Sequence, residues 1–184
     1  KLPVIYGDVT PSYAILSAHK FGGPKGVGAL INFTADDPAP MLRGGGQEMN
    51  RRSGTENVIG IAGFGAAAEA AGADVAAGKW EEVAYFRNIL EKTIAAASKQ
   101  TIFVGKESVR LPNTSCMLTP GWKGETQVMQ MDLAGFAVSA GSACSSGKVK
   151  ASKVLLAMGY DEAEAASAIR VSLGLGTTEN DVLR

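Results

Sequence analysis

Glycine constrains this chain more than any other feature. It supplies 23 of the 184 residues, well above the usual ~7%, without the short period of collagen or of a low-complexity linker. The glycines gather in three places: Gly22 to Gly28 after His19-Lys20, Gly44-Gly45-Gly46 ahead of Arg51-Arg52-Ser53-Gly54-Thr55, and Gly141 to Gly147 around Cys144. Each cluster is bounded by apolar segments. Glycine tolerates positive φ and admits a ligand close to the backbone, so these loops, at the ends of buried strands, are where a binding site is expected.

The segments between them read as a mixture of strands and helices. Tyr13-Ala14-Ile15-Leu16 and Val27 to Ile31 are short continuous apolar runs that suit strands buried on both faces of a sheet. An Ala-rich stretch from Asn57 to about Ala71 predicts a weakly amphipathic helix, and Val83, Phe86, Leu90 and Ile94 recur on one face of a clearer one. Ile102 to Val104, Ser115 to Leu118 and Phe136 to Val138 are candidate strands. Ser152 can cap a short helix ending at Gly159, and Asp161 with Glu164 forms a capping-box start for the next. The strict alternation of Ile169-Arg170-Val171-Ser172-Leu173 sets Arg170 and Ser172 opposite three apolar residues.

Charge and cysteine content narrow the partners. Eighteen Lys+Arg balance 18 Asp+Glu, and no basic run exceeds Arg51-Arg52, so nothing supplies the footprint for a phosphate backbone or an anionic bilayer. No stretch approaches the roughly 20 consecutive apolar residues of a bilayer span, and the first residues lack the pattern of a signal peptide. The expectation is a soluble protein without direct nucleic-acid or membrane partners. Two cysteines, Cys116 and Cys144, and one histidine, His19, are too few for a disulfide scaffold or a Cys/His metal site, and point to the cytoplasm.

Four segments carry chemistry. In Ser17-Ala18-His19-Lys20-Phe21-Gly22-Gly23-Pro24, a lysine at a strand end before a Gly/Pro turn could be a solvated loop residue or an amine positioned for a carbonyl cofactor. The segment around Arg51-Arg52-Ser53-Gly54-Thr55-Glu56-Asn57 is either an anion site at a helix start or an ordinary glycine loop with a Thr or Asn cap. Cys144 lies among small residues from Ser139 to Gly147, the context of an accessible thiol, whereas Cys116 lies in the apolar Ser115-Cys116-Met117-Leu118. Arg170 suits either a bidentate carboxylate grip or an internal salt bridge.

Together the segments have a likeness that none has alone. Ser-Ala-His-Lys-x-x-Gly-Pro-Lys-Gly, Gly-Gly-Gly-Gln-Glu, Arg-Ser-Gly-Thr-Glu-Asn, Ser-Ala-Gly-Ser-Ala-Cys and Ala-Ile-Arg-Val-Ser-Leu-Gly, in that order, strongly resemble the cysteine desulfurases of the NifS/IscS type, class V of the fold-type I aminotransferases. The loop after the cysteine, Ser145 to Lys150, looks most like the NifS-like branch. The resemblance implies an α/β fold-type I architecture, with residues 1–56 a remnant of the large cofactor-binding domain, 57–78 a connecting helix and 79–184 a small domain carrying the cysteine loop.

It also implies the chemistry. Lys20 would hold pyridoxal 5′-phosphate as a Schiff base, with Ser17 and His19 contacting the cofactor, chiefly its phosphate. Thr55 would reach the phosphate bound in the other subunit of a homodimer, and Arg170 would grip the carboxylate of the substrate L-cysteine. Cys144 would take the sulfur as a persulfide, releasing L-alanine, before delivery to an acceptor protein such as an Fe–S scaffold or another relay. Gly141 and Gly147 would act as hinges. Members of this family are roughly twice as long, so the resemblance covers the last part of the large domain and most of the small one. Two alternatives remain: another class V enzyme such as a selenocysteine lyase or a C–S lyase, and an inert chain serving only dimerisation or acceptor docking.

Overall fold

A computed structural model describes residues 11–140 and 151–184. The chain divides into two compact units, one ending at Gly78 and the other beginning at Lys79. In the first, the apolar runs form strands β1 (Tyr13–Ser17) and β2 (Gly28–Asn32), paired antiparallel with Ile15 opposite Leu30 and Ser17 opposite Gly28. The strands are present, but their expected burial on both faces is not: Ile15 is 81% exposed and Leu30 55%. The antiparallel pairing makes a two-stranded ribbon, which covers neither of its own faces.

Helix α1 (Gln47–Asn50) is a single turn, and α2 (Val58–Ala76) follows it. Asn57 starts α2 by accepting a hydrogen bond from the Gly60 amide, 3.1 Å away, so the cap reading of that segment is realised. Although Glu69 and Asp74 interrupt it, α2 is by length and composition apolar enough to cross a bilayer, with a mean hydropathy of 1.3. Its Phe64 packs edge-on against Phe21, ring centres 5.3 Å apart.

The second unit is built on a four-stranded antiparallel sheet in the order β3 (Ile102–Phe103), β4 (Thr114–Leu118), β6 (Ala168–Ser172), β5 (Ser139–Ala140). Helix α3 (Lys79–Ala97) follows the periodicity in its sequence and buries Val83 and Phe86. On one sheet face Leu118 and Ala168 pack with Leu155 of α5 (Lys153–Ala157) and Ala165 of α6 (Glu162–Ala166). On the other, Ser115 of β4 donates a hydrogen bond to Glu91 of α3. Helix α4 (Gly124–Leu133) starts hard against β6. A Cβ at Gly124 would lie 2.7 Å from the Ala168 carbonyl oxygen, which only glycine avoids.

The helix starts follow their local signals. Ser152 caps α5, Asp161 and Glu164 form a capping box on α6, and Thr178 and Asp181 form another on α7 (Glu179–Leu183). The strand expected over residues 136–138 is displaced to Ser139–Ala140. Gly135, at φ +84°, ends α4, the Phe136 amide donates back to the Met131 carbonyl, and the Arg184 guanidinium lies 5.0 Å from the Phe136 ring centre. Phe136 therefore belongs to the helix end and not to the ladder.

Candidate active site

Three of the expected site residues share one turn of the first unit. At the end of β1 the chain enters a short 3₁₀ turn, Ala18–Lys20, fixed from below by Ala18, which is fully buried. The Ala18 amide donates to the Val27 carbonyl, and the Ala18 carbonyl accepts from the Phe21 and Gly23 amides at 3.0 and 2.9 Å. Gly23 has no room for a side chain, since a Cβ there would sit 2.8 Å from the Ala18 Cβ. Such a turn holds its backbone rigidly and presents its polar side chains outward. Lys20 and His19 are exposed, and Ser17 Oγ is hydrogen-bonded to His19 Nδ1 at 3.0 Å. The direction of that bond follows the histidine tautomer.

The second loop differs from the anion site considered from sequence. Both arginines are committed to the loop itself. Arg51 grips Asp37 through Nε and Nη2 at 2.9 and 3.2 Å, and Arg52 Nε donates to Glu48 at 2.6 Å. Arg52 Nη1 also donates to the Ser53 and Gly54 carbonyls. Glu48, Met49 and Asn50 all have positive φ, between 51° and 66°, a left-handed run that non-glycine residues adopt only under constraint. Arg52 is that constraint, because it ties the strained turn to the two residues ahead of the exposed Thr55.

Arg170 stands in the middle of β6 in the second unit. Across the ladders it lies opposite Cys116 of β4 on one side and Ser139 of β5 on the other, so all three project to the same sheet face. Its Nη2 donates to Ser139 Oγ at 3.5 Å, and no carboxylate pairs with it among the described residues. Its Nε is buried without an acceptor among the described residues. The salt-bridge alternative for Arg170 is therefore not what the described residues form. A buried guanidinium N–H without an acceptor marks a site that an anionic group from elsewhere can complete.

Cys116 is half-buried, and burial pushes its thiol up in pKa while the nearby Arg170 charge pulls part of the way back. This agrees with the expectation that an apolar strand raises the pKa of Cys116. Its place beside Arg170 was not legible, because alternation within one strand does not disclose the register of another. Cys144, with Gly141, Gly147 and the segment to Lys150, lies outside the described residues. The structure thus groups Ser17, His19 and Lys20 in one unit and sets Arg170 with Ser139 and Cys116 in the other.

The chain as a whole has counterparts among known proteins. A family model described as Aminotransferase class-V matches residues 12–184. The chain belongs to the class-V aminotransferase family. Among curated relatives, it is 42% identical to a cysteine desulfurase of Cereibacter sphaeroides over 185 residues, spanning 100% of this chain and 46% of the relative. It is 38% identical to the cysteine desulfurase IscS of Dictyoglomus turgidum over 181 residues, 98% of this chain and 46% of that protein. Among solved structures, a NifS-like protein from Rickettsia africae superposes with a TM-score of 0.79 at 35% identity, covering 94% of this chain and 44% of the other. This class-V chain therefore spans less than half the length of the proteins it matches, and its mixed α/β architecture is theirs over that span.

Proposed function

We propose that the protein carrying this chain is a pyridoxal 5′-phosphate-dependent cysteine desulfurase. It converts L-cysteine to L-alanine and collects the sulfur as a persulfide on Cys144. The observation that carries the reading is the Ala18–Lys20 turn: a rigid backbone presenting one primary amine beside a hydroxyl–imidazole pair. That donor set fits a phosphorylated aldehyde, the amine for its carbonyl end and Ser17 with His19 for its phosphate. The names of the relatives support the same reading.

In this reading the Lys20 amine would hold the cofactor and would move protons at the substrate carbon. Thr55, displayed by the Arg52-braced loop, reaches the phosphate held in the other subunit of a homodimer. Arg170 binds the substrate carboxylate and fixes its orientation. Pyridoxal 5′-phosphate, when bound, supplies an electron sink next to the substrate α-carbon. The Cys144 thiolate attacks the substrate sulfur. A sulfur–sulfur bond forms, the carbon–sulfur bond breaks with its electron pair remaining on carbon, and a proton completes L-alanine. The persulfide then passes to an acceptor protein for Fe–S cluster or other sulfur assembly in the cytoplasm, with no nucleic acid or membrane taking part. The unit ending at Gly78 is the part of the large domain that carries the lysine, together with the connecting helix, and the unit from Lys79 is the small domain.

The test is the intact holoenzyme incubated with L-cysteine. L-Alanine and protein-bound sulfane sulfur should appear in equal amounts, the added sulfur should map to Cys144, and Cys144→Ser should abolish it while the bound-cofactor absorbance persists. Free sulfide without a persulfide would replace this reading with that of a C–S lyase. Sulfur mapped to Cys116 would show that the wrong thiol has been assigned.

A further inference from the structure

Arg170 has a neighbour directly opposite it on each flanking strand, and the two are chemically unequal. Cross-strand pairs of this kind bring Cβ atoms about 4.5–5.5 Å apart, within reach of a hydrogen bond from a long side chain. Ser139 uses that reach: its Oγ accepts from Arg170 Nη2, the only side-chain hydrogen bond of Arg170 among the described residues. Cys116 makes none with Arg170 among the described residues, and its half-buried thiol, kept protonated by burial, is a weak acceptor.

A guanidinium carries five N–H donors on a plane that swings about the last side-chain bonds, so one anchor decides which edge it presents. An anchor at Nη2 removes the swing without consuming the remaining donors. The buried Nε, still without an acceptor among the described residues, shows that donor capacity is left over. Ser139 also lies at the start of the small-residue segment that carries Cys144, five positions further along. One serine thus stands at both the guanidinium and the root of the thiol segment.

We propose that Ser139 is a positioning residue, which holds the Arg170 guanidinium in the orientation that grips the substrate carboxylate. The inference rests on the reading of Arg170 as the carboxylate-binding residue. Ser139 touches neither substrate nor cofactor and acts through Arg170 alone. The consequence falls on substrate binding and leaves the sulfur chemistry largely alone. Loss of one hydrogen bond of this kind should weaken carboxylate binding about three- to tenfold.

The experiment is steady-state kinetics of the intact holoenzyme with L-cysteine, together with direct titration of L-alanine, which presents the carboxylate without the sulfur. Ser139→Ala should raise KM for L-cysteine and Kd for L-alanine by the same factor, about three- to tenfold, and lower kcat by less than about twofold. Ser139→Thr, which keeps the hydroxyl, should restore both. Cys116→Val, which disturbs the opposite flank and removes no hydrogen bond, should shift neither. An unchanged Kd for L-alanine in Ser139→Ala would overturn the proposal, as would equal impairment in the Ala and Thr variants. An Arg170→Lys holoenzyme that binds L-alanine as tightly as the unsubstituted protein would instead remove the parent reading of Arg170.

Discussion

The two units bury their apolar residues very differently. From Lys79 onward, Met117, Leu118, Leu155, Ala165, Ala168 and Ile169 are all at least 94% buried, and four polar residues, Glu91, Ser115, Gln127 and Ser167, are enclosed with partners. Before Gly78, Ala18 is the sole fully enclosed apolar side chain among the described residues, while Ile15, Leu30, Val58 and Ile59 are more than half exposed. Arg170 accordingly sits on a unit that holds its own shape, and Lys20 on one whose turn is rigid while its ribbon and helix lie open. Local precision at a site does not require a core beneath it. Ala18, three backbone hydrogen bonds and Gly23 are enough to fix a three-residue turn.

The largest effect should come from the second core. Leu118 is fully buried against Leu155, Ala165 and Ala168, so Leu118→Ala should cost about 3–4 kcal/mol through lost burial and a residual cavity. Both tryptophans, Trp80 and Trp122, lie in this unit, so urea unfolding followed by their fluorescence reads it directly. A cost below about 1 kcal/mol would erase the contrast between the units.

Next is the buried clamp on α3. Glu91 is 4% exposed and accepts hydrogen bonds from both Nη atoms of Arg110, at 2.8 and 3.0 Å, and from the Ser115 hydroxyl at 2.7 Å. Burial alone would raise its pKa, but the Arg110 and Ser115 hydrogen bonds and the charges of Arg110 and Arg87 outweigh it and hold the carboxyl below its ordinary value. A depressed folded pKa means that the stabilisation is complete above the unfolded value, about 4.3, and is lost as pH falls through the lower folded value. Glu91→Gln should cost about 2–3 kcal/mol at neutral pH. Its stability should also fall less steeply than that of the unsubstituted chain below about pH 4.3. Parallel pH profiles for the two would show that Glu91 is not the group responsible.

What could be read from the sequence divides along the same physical line. Caps are contacts between residues three apart, so Ser152, Asp161 with Glu164, and the Asn57 start of α2 were visible directly. Helix α3 and the alternation of Arg170 with Ile169 and Val171 followed from periodicity, which is also local. Arg170 was expected to face away from the packed side and instead shares its face with the buried Leu118 and Ala168. The register that sets Arg170 between Cys116 and Ser139 is a pairing across 54 and 31 positions, and nothing in any one strand encodes it. The antiparallel ribbon was missed for the same reason, because an apolar run states that a strand prefers cover and not which strand supplies it. Glu91 was invisible as a buried group because its partners, Arg110 and Ser115, lie 19 and 24 positions away.

A smaller effect tests whether α6 is held by its own start or by the core. Asp161 accepts from the Glu164 amide at 2.8 Å while the Glu164 side chain accepts from the Asp161 amide at 3.0 Å. Asp161→Ala removes half of that reciprocal pair and should cost about 1 kcal/mol in the same fluorescence measurement. A cost as large as that of Leu118→Ala would mean that the cap carries Ala165 into the core and is not merely local.

The smallest effect is expected in the ribbon, and there the comparison between units is most exposed to contradiction. Ile15 and Leu30 face each other across β1 and β2, and Ile15 keeps 81% of its surface. A side chain that buries almost nothing has little transfer free energy to lose. Threonine retains the β-branched shape that suits a strand, so Ile15→Thr should change stability by no more than about 0.5 kcal/mol. Tryptophan fluorescence does not see this unit, so the measurement is hydrogen exchange at the β1 and β2 amides. Their opening equilibrium should shift by less than about 2.5-fold, and these amides should exchange faster than those of β4 and β6 in either protein. Slower exchange in the ribbon than in β4, or a loss for Ile15→Thr approaching that of Leu118→Ala, would mean that something covers the Ile15–Leu30 face in solution, as its composition alone predicts.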